Sequence, residues 1–373
     1  MKYISYYSLP SKEYPRNSFL SATNKMDYII GAMVSTGRNV EIISASGLLC
    51  PRIQGGKTTK LKEDVSLKTF FSIGNKSRKI RSWDRKLITL QLFFYLMFHI
   101  RKGEDVLVYH SLGYIKLIRW LKKLKKFRLI LEVEEIYADV LQDADIRKKE
   151  MDYFQLADAY FFPTELLDGI VNRSGKPSLI IYGTYKVESP IEKSIFNDNK
   201  IHVVYAGTLD PKKGGAIATV SMTEFLDTRF HVHILGFGTS SEIEAVKDQI
   251  ASVQSKCSAT VSYDGVLHGD DYTRFLQSCQ IGLSTQIVDA AFSQTSFPSK
   301  VLSYMANGLR VVSSDLDVLR KSSIGNLIYY YDGEHSKSLA QAITRIDLDS
   351  SYDSRTTLKS LDRSFKNSLD RIL

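Results

Sequence analysis

Short apolar runs recur along the chain, most of them rich in β-branched or aromatic residues and bounded by Gly, Asp or Ser. They predict strands at residues 3–7, 40–44, 105–110, 128–133, 159–163 and 178–182. After a polar stretch at 188–200 the pattern restarts, with strands predicted at 201–206, 231–235, 260–263, 281–284, 310–313 and 326–330. Between many of these runs the apolar spacing changes to three and four. That predicts helices at 23–35, 87–101, 114–126, 214–225, 240–254, 270–278 and 299–307. Repeated β–α alternation of this kind implies parallel sheets with helices on both faces. The break near 187–200 divides the pattern into two such units, and residues 351–373 are polar with helical spacing. Length agrees: 373 residues hold two cores. There is no internal repeat and no low-complexity tract.

Charge changes this picture. The net charge of +9 is unevenly placed: residues 1–186 carry 31 Lys and Arg against 19 Asp and Glu, and the remainder carries 19 against 22. A one-sided basic field suits anionic lipid, a diphosphate-linked acceptor or nucleic acid. In the helix predicted at 114–126, Leu117, Trp120, Leu121 and Leu124 form an apolar stripe. Arg119, Lys122, Lys123 and Lys126 form a cationic face free of acids. Such a helix is either a solvated surface element or a contact with an anionic membrane. A second basic cluster contains Lys76, Arg78, Lys79, Arg81, Arg85 and Lys86. The almost wholly apolar segment 87–100 that follows is too short to span a bilayer, which takes ~20 residues. It reads first as a buried helix, with an interfacial membrane contact as the alternative. No helix-turn-helix, zinc or RNP-type signature supports nucleic acid as the partner. Three cysteines, Cys50, Cys257 and Cys279, match neither a disulfide framework nor a zinc site, and no secretory signal is evident, so a cytoplasmic location is expected.

The second half carries the candidate chemistry. A predicted strand runs through Val203–Ala206 into Gly207, Thr208, Leu209 and Asp210, then Pro211-Lys212-Lys213-Gly214-Gly215 before a helix. That turn can direct Lys212 or Lys213 at a phosphate. Leu235-Gly236-Phe237-Gly238 ends the next strand, and Tyr263-Asp264-Gly265-Val266 the one after, where a turn could lay backbone along a base edge. Ser296-Phe297-Pro298-Ser299-Lys300 then opens a helix that Gly308 closes and a buried strand follows. Ser296 or Ser299 can cap that helix, and Pro298 fits its first positions. Its N-terminus, with Lys300 beside it, is expected at the carboxyl ends of the strands, where open α/β sheets bind ligands.

In this order the motifs resemble those of the GT4 glycosyltransferases of GT-B fold, in particular bacterial enzymes that build capsule, O-antigen or exopolysaccharide. The resemblance is closest over residues 201–335. It implies two Rossmann-like, doubly wound parallel-sheet domains facing a central cleft: an acceptor domain at 1–187 and a nucleotide-sugar domain at 188–351. The terminal helix at about 352–373 would pack back on the first domain. By position, Lys213 would hold the donor diphosphate, and Gly265 and Val266 would face the nucleobase. Gly207, Lys212, Gly238, Phe297, Pro298, Ser299 and Lys300 complete the donor frame. The chain departs from the family pattern at three places. Thr208 stands where an Arg is usual, and Thr295 and Ser303 replace the paired glutamates that contact sugar and ribose. In the first half, carboxylates at Glu134 and Glu135 stand where many relatives have a catalytic-site His, while Glu132 and Glu134 share one face of the strand. His110, ending the preceding strand, is a second catalytic candidate. Arg16 and Asn17 lie in the loop where acceptor contacts are usual.

The expected reaction is transfer of a hexose from a nucleotide-diphosphate sugar, with UDP the expected carrier and retention of configuration. The expected acceptor is a lipid-diphosphate-linked saccharide at the inner face of the cytoplasmic membrane. No cofactor or metal is expected: Asp143/Asp145 and Asp315/Asp317 match an Asp-x-Asp pattern only in letters, and His231 and His233 read as one face of a buried strand. Two alternatives stay open, a nucleotide-sugar epimerase on the same fold and a non-catalytic, membrane-bound scaffold.

Overall fold

The structure is a computed structural model that describes residues 1–18, 20–75, 77–211, 215–286, 295–332 and 336–373. The chain divides into two compact units. One comprises Met1–Pro163, Leu167–Thr184 and Ser364–Leu373, and the other Thr164–Leu166 and Tyr185–Arg363.

In the first unit the chain runs through β1 (Lys2–Ser5), α1 (Leu20–Ser35), β2 (Val40–Ser44), β3 (Ile53–Gln54), β4 (Lys57–Lys62), β5 (Val65–Thr69) and β6 (Ser72–Ile73). It continues through α2 (Arg78–His99), β7 (Asp105–Tyr109), α3 (Ile115–Lys125), β8 (Arg128–Glu132), α4 (Tyr137–Leu141), α5 (Ala144–Phe154), β9 (Ala159–Phe162), α6 (Glu165–Val171) and β10 (Ser178–Ile180). Eight of these strands form one sheet in the order β10-β9-β8-β7-β1-β2-β5-β4. All its neighbours are parallel except β4, which pairs antiparallel with β5. Right-handed crossovers that step in the same direction place their helices on the same face. The helices α2, α3, α5 and α6 therefore share one face. Their buried side chains (Ile88, Leu92, Ile118, Leu121, Phe154, Leu167) join Val106, Val108, Leu129 and Leu131 in one cluster.

The hairpin β4–β5 has no counterpart among the predicted strands. Lysines 57, 60 and 62 keep the edge strand β4 soluble and hide its alternation, a known protection for an unpaired edge. The α2 helix also starts earlier than its apolar run, at Arg78, because Arg and Lys extend a helix readily.

The second unit runs through β11 (Ile201–Thr208), α7 (Gly215–Met222), β12 (Phe230–Phe237), α8 (Ser240–Gln254), β13 (Thr260–Gly265), α9 (Gly269–Ser278) and β14 (Ile281–Ser284). It ends with α10 (Ser299–Asn307), β15 (Arg310–Ser314), α11 (Asp317–Arg320), β16 (Ile328–Tyr331), α12 (Ser336–Thr344) and α13 (Ser354–Ile372). Its six-stranded sheet has the order β13-β12-β11-β14-β15-β16, and every pairing is parallel. Strands covered on both faces read as continuous apolar runs, which is why these were predicted close to their observed limits.

The terminal helix α13 is divided between the units. Its start is held in the second unit, where Ser354 Oγ donates to Met305 O at 2.8 Å and Arg355 Nη2 to Asn307 O at 2.5 Å. Its end packs in the first unit: Phe365 stacks on Tyr28 of α1 at 5.7 Å, and Arg38 pairs with Asp370 at 2.8 Å. Among the described residues no helix is long and apolar enough to cross a membrane.

Candidate active site

In the second unit the strand order reverses between β11 and β14, and such a switch point opens a crevice at the carboxyl ends of the strands. Close backbone approach selects the residues that frame it. A Cβ at Gly236 would lie 1.9 Å from Gly207 O on the paired strand, so β12 and β11 reach this spacing only with glycine there. A Cβ at Gly207 would lie 2.4 Å from Lys300 Nζ, so the Lys300 side chain fills the space that a side chain at 207 would occupy. The Lys300 ammonium stands 3.6 Å from the centroid of the Tyr205 ring, a cation–π contact. The Tyr205 hydroxyl donates to Thr208 O at 2.9 Å, which ties the ring to the end of β11.

Lys300 lies in the first turn of α10. Pro298, with φ −68° and ψ 104°, occupies the cap position and makes no side-chain cap hydrogen bond. The expected serine caps are thus not used: Ser299 is the first helical residue and is exposed. Gly308 ends the helix in the left-handed region at φ +86°. Its fellow helix α8 is different. Thr239 Oγ1 accepts from Glu242 N at 3.3 Å, and Glu242 Oε2 accepts from Thr239 N at 2.6 Å. That capping box fills the N-terminus behind Gly238 with the chain's own side chains. Of these two helix starts, α10 is the one whose cap residue makes no side-chain cap bond and whose first turn carries a cation, which suits an anionic group.

Other expected donor residues surround this frame. Thr295 O accepts from Thr164 Oγ1 at 3.0 Å. Phe297 is buried, and Ser303 sits half-buried on α10 within reach of the Tyr272 hydroxyl. Gly265 adopts φ +76°, and Val266 after it is exposed. Phe237, at the end of β12, is 61% exposed; it was not among the predicted site residues. Its signal was present as a large aromatic between two glycines at a strand end. Lys212 and Lys213 lie outside the described residues.

The first unit has its own switch point, between β1 and β7. Beyond these strand ends Tyr6 stacks on Tyr114 at 4.9 Å and its hydroxyl lies 3.3 Å from Ser111 Oγ. The neighbouring strand β8 ends in carboxyl groups. Glu132 is fully buried and accepts from the Tyr3 hydroxyl. Burial and the adjacent Glu134 charge push its pKa up to about 8, against a partial pull downward from Lys25. Glu134 pairs with Lys25 at 2.6 Å. Glu135 is half-buried, and burial followed by the charges of Glu134 and Glu150 raises its pKa. His110 is buried, with Nε2 2.6 Å from Glu150 Oε1. Burial lowers its pKa, and Glu150 offsets this in part. Glu150 also accepts from Tyr137 N and Ala138 N at 2.9 Å each, so this carboxylate fixes both the imidazole and the start of α4. Of the three catalytic candidates, Glu134 and Glu135 retain exposure while His110 is held inside the protein.

Several further candidates have internal partners. Arg16 is buried; Nη1 donates to Ser46 O at 2.6 Å, Nη2 to Phe70 O at 3.2 Å and to Gln54 Oε1 at 2.8 Å. Asn17 beside it is exposed, its backbone bound to Gly47 O. Lys122 pairs with Asp158 and donates to Phe127 O at 3.2 Å, and Arg119 is half-buried. Lys123 and Lys126 are exposed, the latter at a left-handed helix end. The apolar stripe of α3 is also divided: Leu117, Ile118 and Leu121 are buried, while Trp120 and Leu124 are exposed. Asp143 caps α5, and Asp315 and Asp317 pair with Arg320 and Lys321.

His202, His231 and His233 gather at the amino ends of β11 and β12, the opposite end from Lys300. His202 Nδ1 lies 2.9 Å from His233 Nε2, and His233 Nδ1 lies 3.1 Å from Asp264. Phe196 stacks on His202 at 3.9 Å. The sequence showed two of these imidazoles on one strand; only the in-register pairing of His202 with His231 brings the third.

Two Rossmann-like units of this topology make the fold GT-B, and comparison with known proteins agrees. Residues 200–348 match the family described as glycosyl transferases group 1. The sucrose-phosphate synthase of Thermosynechococcus elongatus superposes with a TM-score of 0.71 at 12% identity, covering 100% of this chain and 98% of that one. The lipopolysaccharide outer core galactosyltransferase WaaB gives 0.66 at 14% identity over 100% and 99%. An Escherichia coli trehalose-6-phosphate structure bound with UDP-2-fluoro glucose gives 0.65 at 11% over 100% and 97%. No curated protein sequence matches the chain. The protein is a glycosyltransferase of GT-B type, and its second unit carries the group 1 glycosyltransferase domain.

Proposed function

We propose that the protein transfers a hexose from a nucleotide-diphosphate sugar, UDP being the expected carrier, to a lipid-diphosphate-linked saccharide. The product would serve a bacterial surface polysaccharide such as capsule or O-antigen, made at the inner face of the cytoplasmic membrane. The observation that carries the donor half of this reading is the α10 N-terminus. Its cap residue makes no side-chain cap bond, and Lys300 is held against Tyr205 beside Gly207 at a switch point. A diphosphate leaving group needs such a cation and such a helix end. Exposed Phe237 and Val266, at the ends of adjacent strands β12 and β13, suit an apolar platform for the base. UDP-2-fluoro glucose bound to one structural neighbour supports a uridine carrier, and the outer-core galactosyltransferase among the neighbours supports a surface saccharide as acceptor.

In the proposed reaction the bond between the anomeric carbon and the diphosphate oxygen breaks as the acceptor oxygen bonds the same carbon. The acceptor oxygen attacks from the face that the diphosphate leaves and hands its proton to the departing phosphate oxygen there, so configuration is retained. Glu135, half-buried at the end of the first unit's sheet, and Glu134 are assigned to hydrogen-bond acceptor hydroxyls. Thr295 and Ser303, in place of a glutamate pair, leave more of the donor contact to Lys300 and to backbone N–H groups. Incubating the protein with a panel of nucleotide sugars and a lipid-diphosphate-linked saccharide tests the reading. Labelled saccharide is expected. Donor epimerisation without acceptor would replace the reading with an epimerase, and no turnover of any donor would replace it with a scaffold.

A further inference from the structure

The α2 helix carries two apolar stripes. Ile88, Leu92 and Leu96 enter the core. A second set, Trp83, Leu90, Phe94 and Phe98, recurs at spacings of seven, four and four, and therefore lies along one line of the helix. This set faces solvent: Trp83 is 71% exposed and Phe98 80%. The neighbouring α3, on the same face of the sheet and packed against α2, adds Trp120 at 64% exposure and Leu124. Exposed aromatics in such number on adjacent helices mark a contact surface rather than scattered surface residues.

The exposed charge on the two helices themselves has one sign. Within α2 the exposed charged residues are Arg78, Lys79, Arg81, Arg85 and Lys86. Its single acid, Asp84, is buried and accepts from Ser72 Oγ at 2.7 Å and Ile73 N at 2.7 Å. The α3 segment has no acid at all. Near the far end of α2 the stripe opens on a groove of about 370 Å³, lined by Phe70, Phe94, Tyr95 and Phe98, with Lys68 at 5.2 Å from the Tyr95 ring. Aromatic walls with an ammonium at hand suit a hydrocarbon chain that ends in an anionic headgroup.

We propose that the solvent faces of α2 and α3 dock on an anionic bilayer and that the Phe70–Phe94–Tyr95–Phe98 groove takes one hydrocarbon chain of a bilayer lipid. Trp83 and Trp120 sit at the level of the headgroups, where indole rings partition. The arginines and lysines of α2 meet lipid phosphates, and Lys68 meets the headgroup of the lipid whose chain fills the groove. Docking here deepens the lipid-linked reading of the acceptor, because it brings the first unit to the surface that carries such a substrate.

The chain's two tryptophans are Trp83 and Trp120, so intrinsic fluorescence reports this face alone. The full-length protein is mixed, without donor or acceptor, with phosphatidylcholine vesicles that contain or lack phosphatidylglycerol. Sedimentation with the anionic vesicles only, a blue-shifted emission and quenching by lipids brominated on the acyl chain are expected. Trp83→Ala combined with Phe98→Ala should weaken vesicle binding at least tenfold while nucleotide binding by calorimetry stays unchanged. A photoreactive acyl-chain lipid should label the peptide that contains Phe94 to Phe98. The proposal is overturned if the protein stays in the supernatant, sediments equally with neutral vesicles, or shows no emission shift. Labelling confined to other peptides overturns the groove. A dimer in the absence of lipid that the double substitution dissolves assigns the face to a second copy of this chain and overturns the docking. None of these measurements uses sugar transfer, so their failure is distinct from failure of the proposed reaction.

Discussion

Replacing Lys300 by Met separates the charge of the donor site from its packing. The stem of Lys300 fills the space beside Gly207, with Cε 2.5 Å from where a Cβ at 207 would stand, and an unbranched Met keeps most of that volume. What Lys300→Met removes is the ammonium 3.6 Å from the Tyr205 centroid, in the first turn of α10. A cation–π contact of this kind contributes about 1 kcal/mol to the free protein. A charge-assisted hydrogen bond to a diphosphate contributes about 1.5–3 kcal/mol to binding. At about 1.4 kcal/mol per tenfold, the nucleotide dissociation constant should rise roughly 10- to 100-fold. Calorimetric titration of wild type, Lys300→Met and Lys300→Arg with UDP measures this. Wild-type affinity should fall as salt is raised, and that slope should shrink in the Met variant. Lys300→Arg should recover part of the loss. If Lys300→Met binds UDP within twofold of wild type while remaining folded, the diphosphate is not held here and the donor assignment to α10 fails.

Gly207→Ala should push the Lys300 tip aside and weaken nucleotide binding several-fold with little loss of stability. Gly236→Ala sets a Cβ against backbone and should cost about 3 kcal/mol in urea unfolding. Arg16→Ala should lower stability by about 3 kcal/mol, since it leaves Ser46 O and Phe70 O without this donor; normal stability with weakened acceptor binding would return Arg16 to the acceptor site. Glu132, raised from 4.5 to about 8 by burial and Glu134, binds a proton more readily folded than unfolded. Stability should therefore fall as pH rises from 4.5 toward 8, and Glu132→Gln should melt increasingly above wild type over that range. His231 is lowered from 6.5 to about 4 by burial and the charges of His233 and His202, so the unfolded chain takes the proton first. Stability should be lost as pH falls from 6.5 toward 4, and His231→Asn should flatten that loss in a pH series of melting curves.

Six of the eight strands of the first sheet, all six of the second and the α10 motif were legible because their signals are local. Buried parallel strands are continuous apolar runs, and Pro298 and Gly308 bracket a helix by their own backbone preferences. The resemblance to GT4 enzymes rested on the motifs of the second half, and the group 1 match at residues 200–348 covers those. Sequence alone thereby determined the α/β class, the two-unit division of the pattern and the place of Lys300 at a helix start.

Partner choice was decided by the tertiary structure. Arg16 looked like an acceptor contact, yet its guanidinium is satisfied by carbonyls of Ser46 and Phe70, 30 and 54 residues away. Lys122 lay on a cationic face by spacing, and Asp158 neutralises it from across 36 residues. The apolar run in α2 read first as buried throughout. Periodicity shows that a stripe is apolar, but which stripe is covered depends on the sheet beneath, and here Trp83, Leu90, Phe94 and Phe98 of the second stripe are exposed. The same holds for His202, joined to His231 by strand register alone. A one-dimensional pattern carries backbone preference and the period of burial. Charge pairing, hydrogen-bond satisfaction and exposure depend on which distant segments meet, and only the folded chain sets those distances.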